Sequence, residues 1–83
     1  MQNFEAVRDV LSDVLSLGDR KDFLEKDSIL LGNIPELDSM AVVGVIAALE
    51  KRFGITVDAG EISAKTFQTL GGLTQFIEQK LAE

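Results

Sequence analysis

The sequence predicts an all-α protein: a four-helix bundle with three longer helices, one short helix and a long first loop. Two observations carry this prediction. Apolar residues recur at helical spacing in three separate segments, and no segment alternates apolar and polar residues over the length of a strand. Hydrophobic residues make up 46% of the 83 positions, which suffices for one folded core. We therefore expect a single domain over residues 1–83.

The first helix is expected to begin near Phe4, where an apolar stripe starts. Asn3 stands where a helix N-cap is needed, and Gly18 where a helix commonly stops. The stripe consists of Phe4, Val7, Leu11, Val14 and Leu15.

Residues 19–37 show no sustained period, which predicts a long connection with a short helical turn in it. The calcium-loop pattern of oxygen ligands at every second position is absent. Loops of this length are often functional; the alternative is a plain connection between two helices that run in similar directions. We expect its apolar residues to anchor it across the helix ends: Phe23, Leu24, Ile29, Leu30, Leu31 and Ile34.

The second helix is predicted over residues 39–53. Asp38 is the expected N-cap and Gly54 the expected stop, with Pro35 lying before the helix. Five apolar residues at helical spacing predict its buried face: Val42, Val45, Ile46, Leu49 and Phe53. We expect Ile46 and Phe53 to be buried against residues of the first and last helices, namely Leu11, Leu15, Phe76 and Ile77.

The last third of the chain predicts a short helix and a longer one. Asp58 is expected to cap a short helix over residues 59–64, with Ile62 facing inward. Thr69 is expected to cap the last helix. Its predicted inward stripe is Leu70, Leu73, Phe76, Ile77 and Leu81.

Charge and composition exclude several classes of protein. The net charge of −6 disfavours nucleic-acid binding, which needs a basic face. No apolar run approaches the length of a membrane span, and the start "MQNFEAVRDV" lacks the pattern of a signal peptide. With no cysteine, the chain forms no disulfide. These features predict a cytoplasmic monomer.

An enzyme is also disfavoured. The chain has no histidine and no cysteine, so neither a serine–histidine pair nor an ordinary zinc site can be built. A serine–lysine pair remains possible, but a chain of this length leaves little room for a substrate pocket.

The pair Asp38-Ser39 opens the second helix, and taken alone it would be a helix cap. Its surroundings, "LLGNIPELDSMAVVGVIAALEKRFGI", resemble the acyl carrier protein family. The family's Asp-Ser-Leu at this helix start reads Asp38-Ser39-Met40 here. The helix closes with "LEKRFGI", similar to the family's Leu-Glu-x-x-Phe-x-Ile, and "TFQTLGGLTQFI" resembles the opening of the family's last helix.

The resemblance implies an acyl-carrier-like bundle that is not an enzyme itself. A phosphopantetheinyl transferase would join 4′-phosphopantetheine from coenzyme A to Ser39, and the carrier would present acyl thioesters to an acyl ligase, ketosynthase or acyltransferase. Asp38 and Met40 would complete the motif that the transferase recognises. The N-terminus of a helix suits a phosphate through its free N–H groups and its dipole.

The second helix departs from the fatty-acid type of carrier. Ala41 and Gly44 stand where that type has acidic residues. Small residues would let a partner approach closely; the alternative is that an exposed helix has drifted in sequence. The predicted partner-facing surface is Met40, Ala41, Gly44, Ala47, Ala48 and Lys51.

These departures predict a specialised pathway. The run "PELDSM" also resembles carriers associated with polysaccharide or exosortase gene clusters. Two alternatives stay open at this point: a peptidyl or aminoacyl carrier, and a helical interaction module that carries no arm.

Overall fold

A computed structural model describes residues 3–30, 32, 34, 37–63 and 65–82. In these residues the chain forms three α-helices: α1 (Phe4–Leu15), α2 (Ser39–Phe53) and α3 (Leu70–Ala82). Helix α1 packs against both of the others, and more extensively against α2. Across the described residues, α2 and α3 make little direct contact with each other. Helix α1 is therefore the element that holds the other two in place.

Two 3₁₀ helices connect the α-helices, one at Gly18–Phe23 and one at Ala59–Glu61. The β pairing found in the described part of the chain is one isolated antiparallel bridge between Ile29 and Thr69. The predicted all-α class, with three longer helices and one short helix, is confirmed.

Helix α1 begins where the sequence predicts, but its ends are made differently. The backbone carbonyl of Asn3 accepts a hydrogen bond from the N–H of Val7 at 3.0 Å, yet the Asn3 side chain makes no cap hydrogen bond. Asn3 is therefore the N-cap residue, as predicted, but its side chain does not cap the helix. The helix ends because Ser16 adopts the left-handed conformation, with φ 54°. Gly18, the predicted stop, instead begins the first 3₁₀ helix.

The first loop contains the predicted helical turn, but two of its predicted anchors are wrong. Leu30 is fully buried and Ile34 nearly so, whereas 81% of Phe23 and 54% of Ile29 are exposed. The 3₁₀ helix that Phe23 ends has no buried residue, so it lies on the surface. Ile29 pairs with Thr69 through its backbone. Because the side chains of successive extended residues point to opposite sides, the burial of Leu30 leaves the Ile29 side chain exposed. Leu24 is half-buried, and Leu31 lies outside the described residues.

Backbone contacts attach this loop to the start of α3. The N–H of Leu30 donates to the carbonyl of Gln68 at 2.9 Å, and the N–H of Gly71 donates to the carbonyl of Lys26 at 2.7 Å. A Cβ at position 71 would lie 2.7 Å from that same carbonyl oxygen, which is closer than any side chain tolerates. The loop can approach α3 this closely because position 71 is glycine.

Helix α2 spans Ser39–Phe53, as predicted. It ends at Gly54, which adopts the left-handed conformation with φ 66° and donates its N–H to the carbonyl of Glu50. Glycine takes this conformation without steric cost. Pro35, predicted to precede the helix, lies outside the described residues.

The inward face of α2 is narrower than the sequence predicts. Val45 and Leu49 are fully buried. Val42, Ile46 and Phe53 are half-buried and pack against the edge of the core, so the predicted burial of Ile46 and Phe53 is correct only in part. Val42 and Ile46 line a cleft beside α2.

The short helix after α2 is a 3₁₀ helix of three residues, Ala59–Glu61, where residues 59–64 were expected. Ile62 follows the helix and is half-buried. Ala64, at the predicted end, lies outside the described residues.

Helix α3 starts with the predicted cap: the N–H of Gly72 donates to Thr69 Oγ1 at 3.0 Å. In its predicted stripe, Phe76 is half-buried. Leu81 is 41% exposed, so its predicted inward position is wrong. The last turn of α3 contains no buried residue, which means that the core ends before this turn. The three remaining stripe residues, Leu70, Leu73 and Ile77, are fully buried.

The core lies around α1 and is completed by residues from the connections. Phe67 is its largest fully buried side chain and belongs to no helix. Thr74 is the fully buried polar residue, and its hydroxyl donates to the carbonyl of Leu70 at 2.8 Å. Buried apolar residues in the described part of the chain are Val7, Val10, Leu11, Leu15, Leu17, Leu30, Ile34, Leu37, Val45, Leu49, Phe67, Leu70, Leu73 and Ile77.

We expect Phe67→Ala to lower the free energy of unfolding by about 3–5 kcal/mol, as for a buried aromatic side chain that leaves a cavity. Phe23→Ala is the matched control. Because Phe23 is 81% exposed, its truncation should change stability by about 0.5 kcal/mol or less. Urea unfolding followed by circular dichroism measures both, and equal losses would contradict the packing described here.

Candidate functional site

The start of α2 is set by the carboxylate of Asp38. Its Oδ1 accepts a hydrogen bond from the N–H of Ala41 at 2.8 Å. Asp38 itself has an extended backbone, with φ −101° and ψ −177°, as expected for a residue that caps a helix from outside. The predicted cap is confirmed, and Ser39 is the first residue of the helix.

Ser39 is exposed, and Met40 beside it is 83% exposed. The first N–H groups of a helix have no carbonyl partner within the helix, and the helix dipole favours negative charge at this end. The first turn of α2 carries no acidic residue. A phosphate attached here would therefore be well accommodated.

Ser39 also borders an apolar cleft between α2 and the chain that precedes α3. This cleft, which we call the first cleft, has a volume of about 360 Å³. Phe67, a fully buried core residue, forms part of its wall. Its lining residues are Leu37, Asp38, Ser39, Val42, Ile62, Ser63 and Phe67.

A second cleft of about 380 Å³ runs along α2. Val42 and Ile62 line both clefts, so the two spaces adjoin at these side chains. The lining is mostly apolar, as in sites that enclose hydrophobic ligands. It comprises Val42, Val43, Ile46, Ala47, Glu50, Val57 and Ile62.

Two carboxylates hold the segment that walls both clefts, residues 57–63. Glu50 on α2 accepts a hydrogen bond from the N–H of Val57 at 2.9 Å. Glu61 accepts one from the N–H of Asp58 at 2.9 Å, whereas the sequence predicts the Asp58 side chain as the acceptor at this helix start. Lys80 on α3 donates to both oxygens of Glu61, at 2.9 and 3.1 Å.

These contacts lower the pKa of Glu61 below its ordinary value. The hydrogen bond from the Asp58 N–H has the largest effect, and the hydrogen bond from Lys80 adds to it. Both favour the ionised carboxylate, while partial desolvation opposes them.

The predicted partner-facing surface is correct in part. Met40, Gly44, Ala47 and Lys51 are exposed, but Ala41 and Ala48 are half-buried and pack against the core. Helical phase explains this burial. Val45 is fully buried, and it lies four residues after Ala41 and three residues before Ala48, so all three share one face of the helix.

Gly44 borders α1, since a Cβ at this position would lie 3.6 Å from the Val14 side chain. The prediction missed Val43, which is 68% exposed. The helical period predicts the exposure of Val43, because Val43 lies three residues after Met40 and four before Ala47. Together these three residues form the outer apolar stripe of α2.

Comparison with known proteins identifies the family. A family described as a phosphopantetheine attachment site matches residues 5–77. The solution NMR structure of a holo acyl carrier protein from Nitrosomonas europaea is 63% identical, covers 100% of both chains and superposes with a TM-score of 0.94. The chain belongs to the acyl carrier protein family. No curated protein matches the carrier significantly.

Membership defines the cofactor and the general role of the carrier. Its cofactor is 4′-phosphopantetheine, covalently bound. A carrier of this family is not itself catalytic, and it interacts with a phosphopantetheinyl transferase and with enzymes that handle acyl groups. The exposed serine, the free N–H groups of α2 and the adjoining apolar clefts fit such a group. Among the described residues, no helix is both long enough and apolar enough to cross a membrane.

Glu61 should titrate at a lower pH than an ordinary glutamate. Because its pKa is lowered by folding, its contribution to stability is present above the unfolded-state pKa and is lost as the pH falls through the folded-state pKa. Carboxyl chemical shifts measured by NMR against pH would give its midpoint. Lys80→Met should raise that midpoint without restoring it fully, because the Asp58 N–H remains. A midpoint in the ordinary range in the parent protein would contradict these contacts.

Proposed function

We propose that the carrier holds its 4′-phosphopantetheine arm on Ser39 and presents acyl groups to partner enzymes as thioesters on that arm. The observation that carries the proposal is the position of Ser39, which is exposed, first in α2 and at the edge of an apolar cleft. Attachment there puts the phosphate at a helix N-terminus and the flexible arm beside a space that can receive an acyl chain.

The transferase, and not the carrier, supplies the base for attachment. The carrier has no histidine that could take the proton from Ser39. In the transfer, the serine oxygen bonds to the pantetheine phosphate, the pyrophosphate bond of coenzyme A breaks, adenosine 3′,5′-bisphosphate leaves, and the serine proton passes to the base of the transferase. Asp38 keeps Ser39 at the helix start and Met40 offers an exposed apolar contact beside it, so both belong to the proposed recognition motif for the transferase.

The lining of the clefts supports an acyl rather than an aminoacyl cargo. In the second cleft the charged lining residue is Glu50, and its Oε2 already accepts the N–H of Val57. A cationic amino group entering this space would leave water for a lining that is mostly apolar, which is costly. An alkyl chain would gain from burial.

For partner enzymes we propose docking on the outer apolar stripe of α2, formed by Met40, Val43 and Ala47. An acyl ligase, ketosynthase or acyltransferase would approach here to reach the arm on Ser39. Exposed apolar residues that line up on one face commonly mark contact surfaces. Of the predicted partner-facing residues, Met40, Ala47 and Lys51 remain in this proposal, whereas Gly44 borders Val14 of α1.

The charges of α2 support a specialised pathway. Its one acidic residue is Glu50, which is half-buried and engaged with Val57. Its last turn carries Lys51 and Arg52. A partner that meets this helix with basic residues would be repelled at that end, so we propose partners whose docking surface is apolar and locally acidic. A single domain, a monomeric state and a cytoplasmic location remain predictions.

Ser39→Ala should abolish attachment of the arm. Incubation with a broad-specificity phosphopantetheinyl transferase and coenzyme A should add the mass of one phosphopantetheine to the parent protein and none to Ser39→Ala. Ser63→Ala is the matched control, because Ser63 is also exposed and lines the same cleft; it should be modified like the parent. Modification of Ser39→Ala would contradict the proposed site.

Asp38 allows the cap to be separated from transferase recognition in the same assay. Asp38→Asn keeps an oxygen that can accept the Ala41 N–H, whereas Asp38→Ala removes it and should cost about 1 kcal/mol of stability. If Asp38→Asn is modified slowly although its stability is unchanged, the transferase recognises the negative charge of Asp38.

Val43→Asp should weaken binding of the holo carrier to an acyltransferase or ketosynthase that accepts its thioester. The expected loss is about 1–2 kcal/mol of binding free energy, as for a contact at the centre of an interface. Gly44→Ala is the control. Its methyl group would meet Val14 of α1, so it should leave binding unchanged and raise stability slightly. Calorimetric titration measures both variants.

Salt dependence of the parent's binding separates the two possible recognition surfaces. Screening weakens contacts between exposed charges and leaves apolar contact largely intact. If Val43→Asp binds like the parent and added salt abolishes binding, the acidic residues outside α2 are the recognition surface and the stripe is not.

A further inference from the structure

The two clefts adjoin at Val42 and Ile62, and Ile62 directly follows Glu61. Glu61 joins the cleft wall to α3 through Lys80, at 2.9 and 3.1 Å. We propose that the Glu61–Lys80 pair is a latch that selects acyl chain length. Closed, it keeps Ile62 between the clefts, so that a short chain fills the first cleft; released, it lets a longer chain continue into the second. This inference rests on the proposed acyl cargo on Ser39.

The pair is more shielded from solvent than fully exposed surface ion pairs, which contribute little. The Lys80 side chain is 11% exposed and that of Glu61 33%. Glu61 is also bonded to the backbone N–H of Asp58, so one carboxylate closes the 3₁₀ helix and ties it to α3. A contact that joins residues 19 positions apart sets the distance between the cleft wall and α3.

The wall is built so that it can move at one end and stay attached at the other. Its 3₁₀ helix has three residues, too few to be rigid alone. Val57, at the start of the wall, is bonded to Glu50 of α2. When the latch opens, this second contact remains, and the wall can turn about Val57 and carry Ile62 with it. Loosely held segments of this kind are the ones that move when a ligand enters.

A second ion pair in the molecule provides a matched control. Lys21 in the first 3₁₀ helix contacts Asp9 of α1 at 3.3 Å, and these side chains are 40% and 54% exposed. Neither residue lines either cleft. Asp9→Asn therefore removes an ion pair of the same type without touching the wall.

The experiment compares thioesters of two lengths on the holo carrier, butyryl and dodecanoyl, by their rates of cleavage with hydroxylamine. In the parent, the butyryl thioester should be shielded and the dodecanoyl thioester cleaved severalfold faster. Glu61→Gln and Lys80→Met should slow cleavage of the dodecanoyl thioester severalfold and leave the butyryl rate unchanged. Lys80→Arg should restore the parent's rates, and Asp9→Asn should match the parent for both lengths.

Each other outcome overturns the latch. If the dodecanoyl thioester of Lys80→Met is cleaved at the parent's rate, the Glu61–Lys80 pair does not govern entry of the long chain into the second cleft. Equal changes at both lengths would show general loosening of the fold. If the parent shields neither thioester compared with the same acyl pantetheine free in solution, the clefts hold no cargo, and the proposed function fails at its cargo while attachment at Ser39 is judged separately by mass.

Amide hydrogen exchange of the carrier without its arm tests the movement itself, whatever the cargo. In Lys80→Met, exchange at the Ser63 N–H, which joins the end of the wall to Thr66 Oγ1, should be faster, while exchange at the Val57 N–H should stay at the parent's rate because Glu50 still holds it. Acceleration at both would mean that the whole wall detaches, which contradicts a turn about Val57.

Discussion

The hydrogen bond from the Ala41 N–H to the Asp38 carboxylate, 2.8 Å long, is the contact on which the rest of the site depends. It fixes where α2 begins, which makes Ser39 the first residue of the helix and leaves it exposed. It also fixes the phase of the helix, because each later residue turns by a constant angle. Val45 is thereby directed to the core and Val43 to the outside.

The proposed cargo space lies beside α2, between this helix and the segment of residues 57–63. Packing of α2 and α3 on α1 builds the core, and the two clefts are lined by α2, by residues of the 57–63 segment and by Phe67. Phe67 serves both purposes, since it is buried in the core and lines the first cleft. The wall itself is attached through carboxylates bonded to backbone N–H groups, which secures it without filling the space behind it with side chains.

The distribution of charge over the carrier is uneven. The chain as a whole has a net charge of −6, yet α2 contributes two basic residues at its end and one acid that is turned towards Val57. The helix that carries the proposed attachment site is therefore apolar in its middle and basic at its end. A surface of this kind selects partners by close contact, with electrostatics acting mainly against wrong partners.

The sequence by itself determined the family, the bounds of α2, the caps at Asp38 and Thr69, and the serine at the helix start. These features depend on hydrogen bonds and spacing within a few residues. Only the tertiary structure decided that Phe67 is buried while Phe23 is exposed and that Gly71 must admit the carbonyl of Lys26. It also brought Lys80 to Glu61. Such contacts depend on how distant elements pack together, and no local pattern of residues records that.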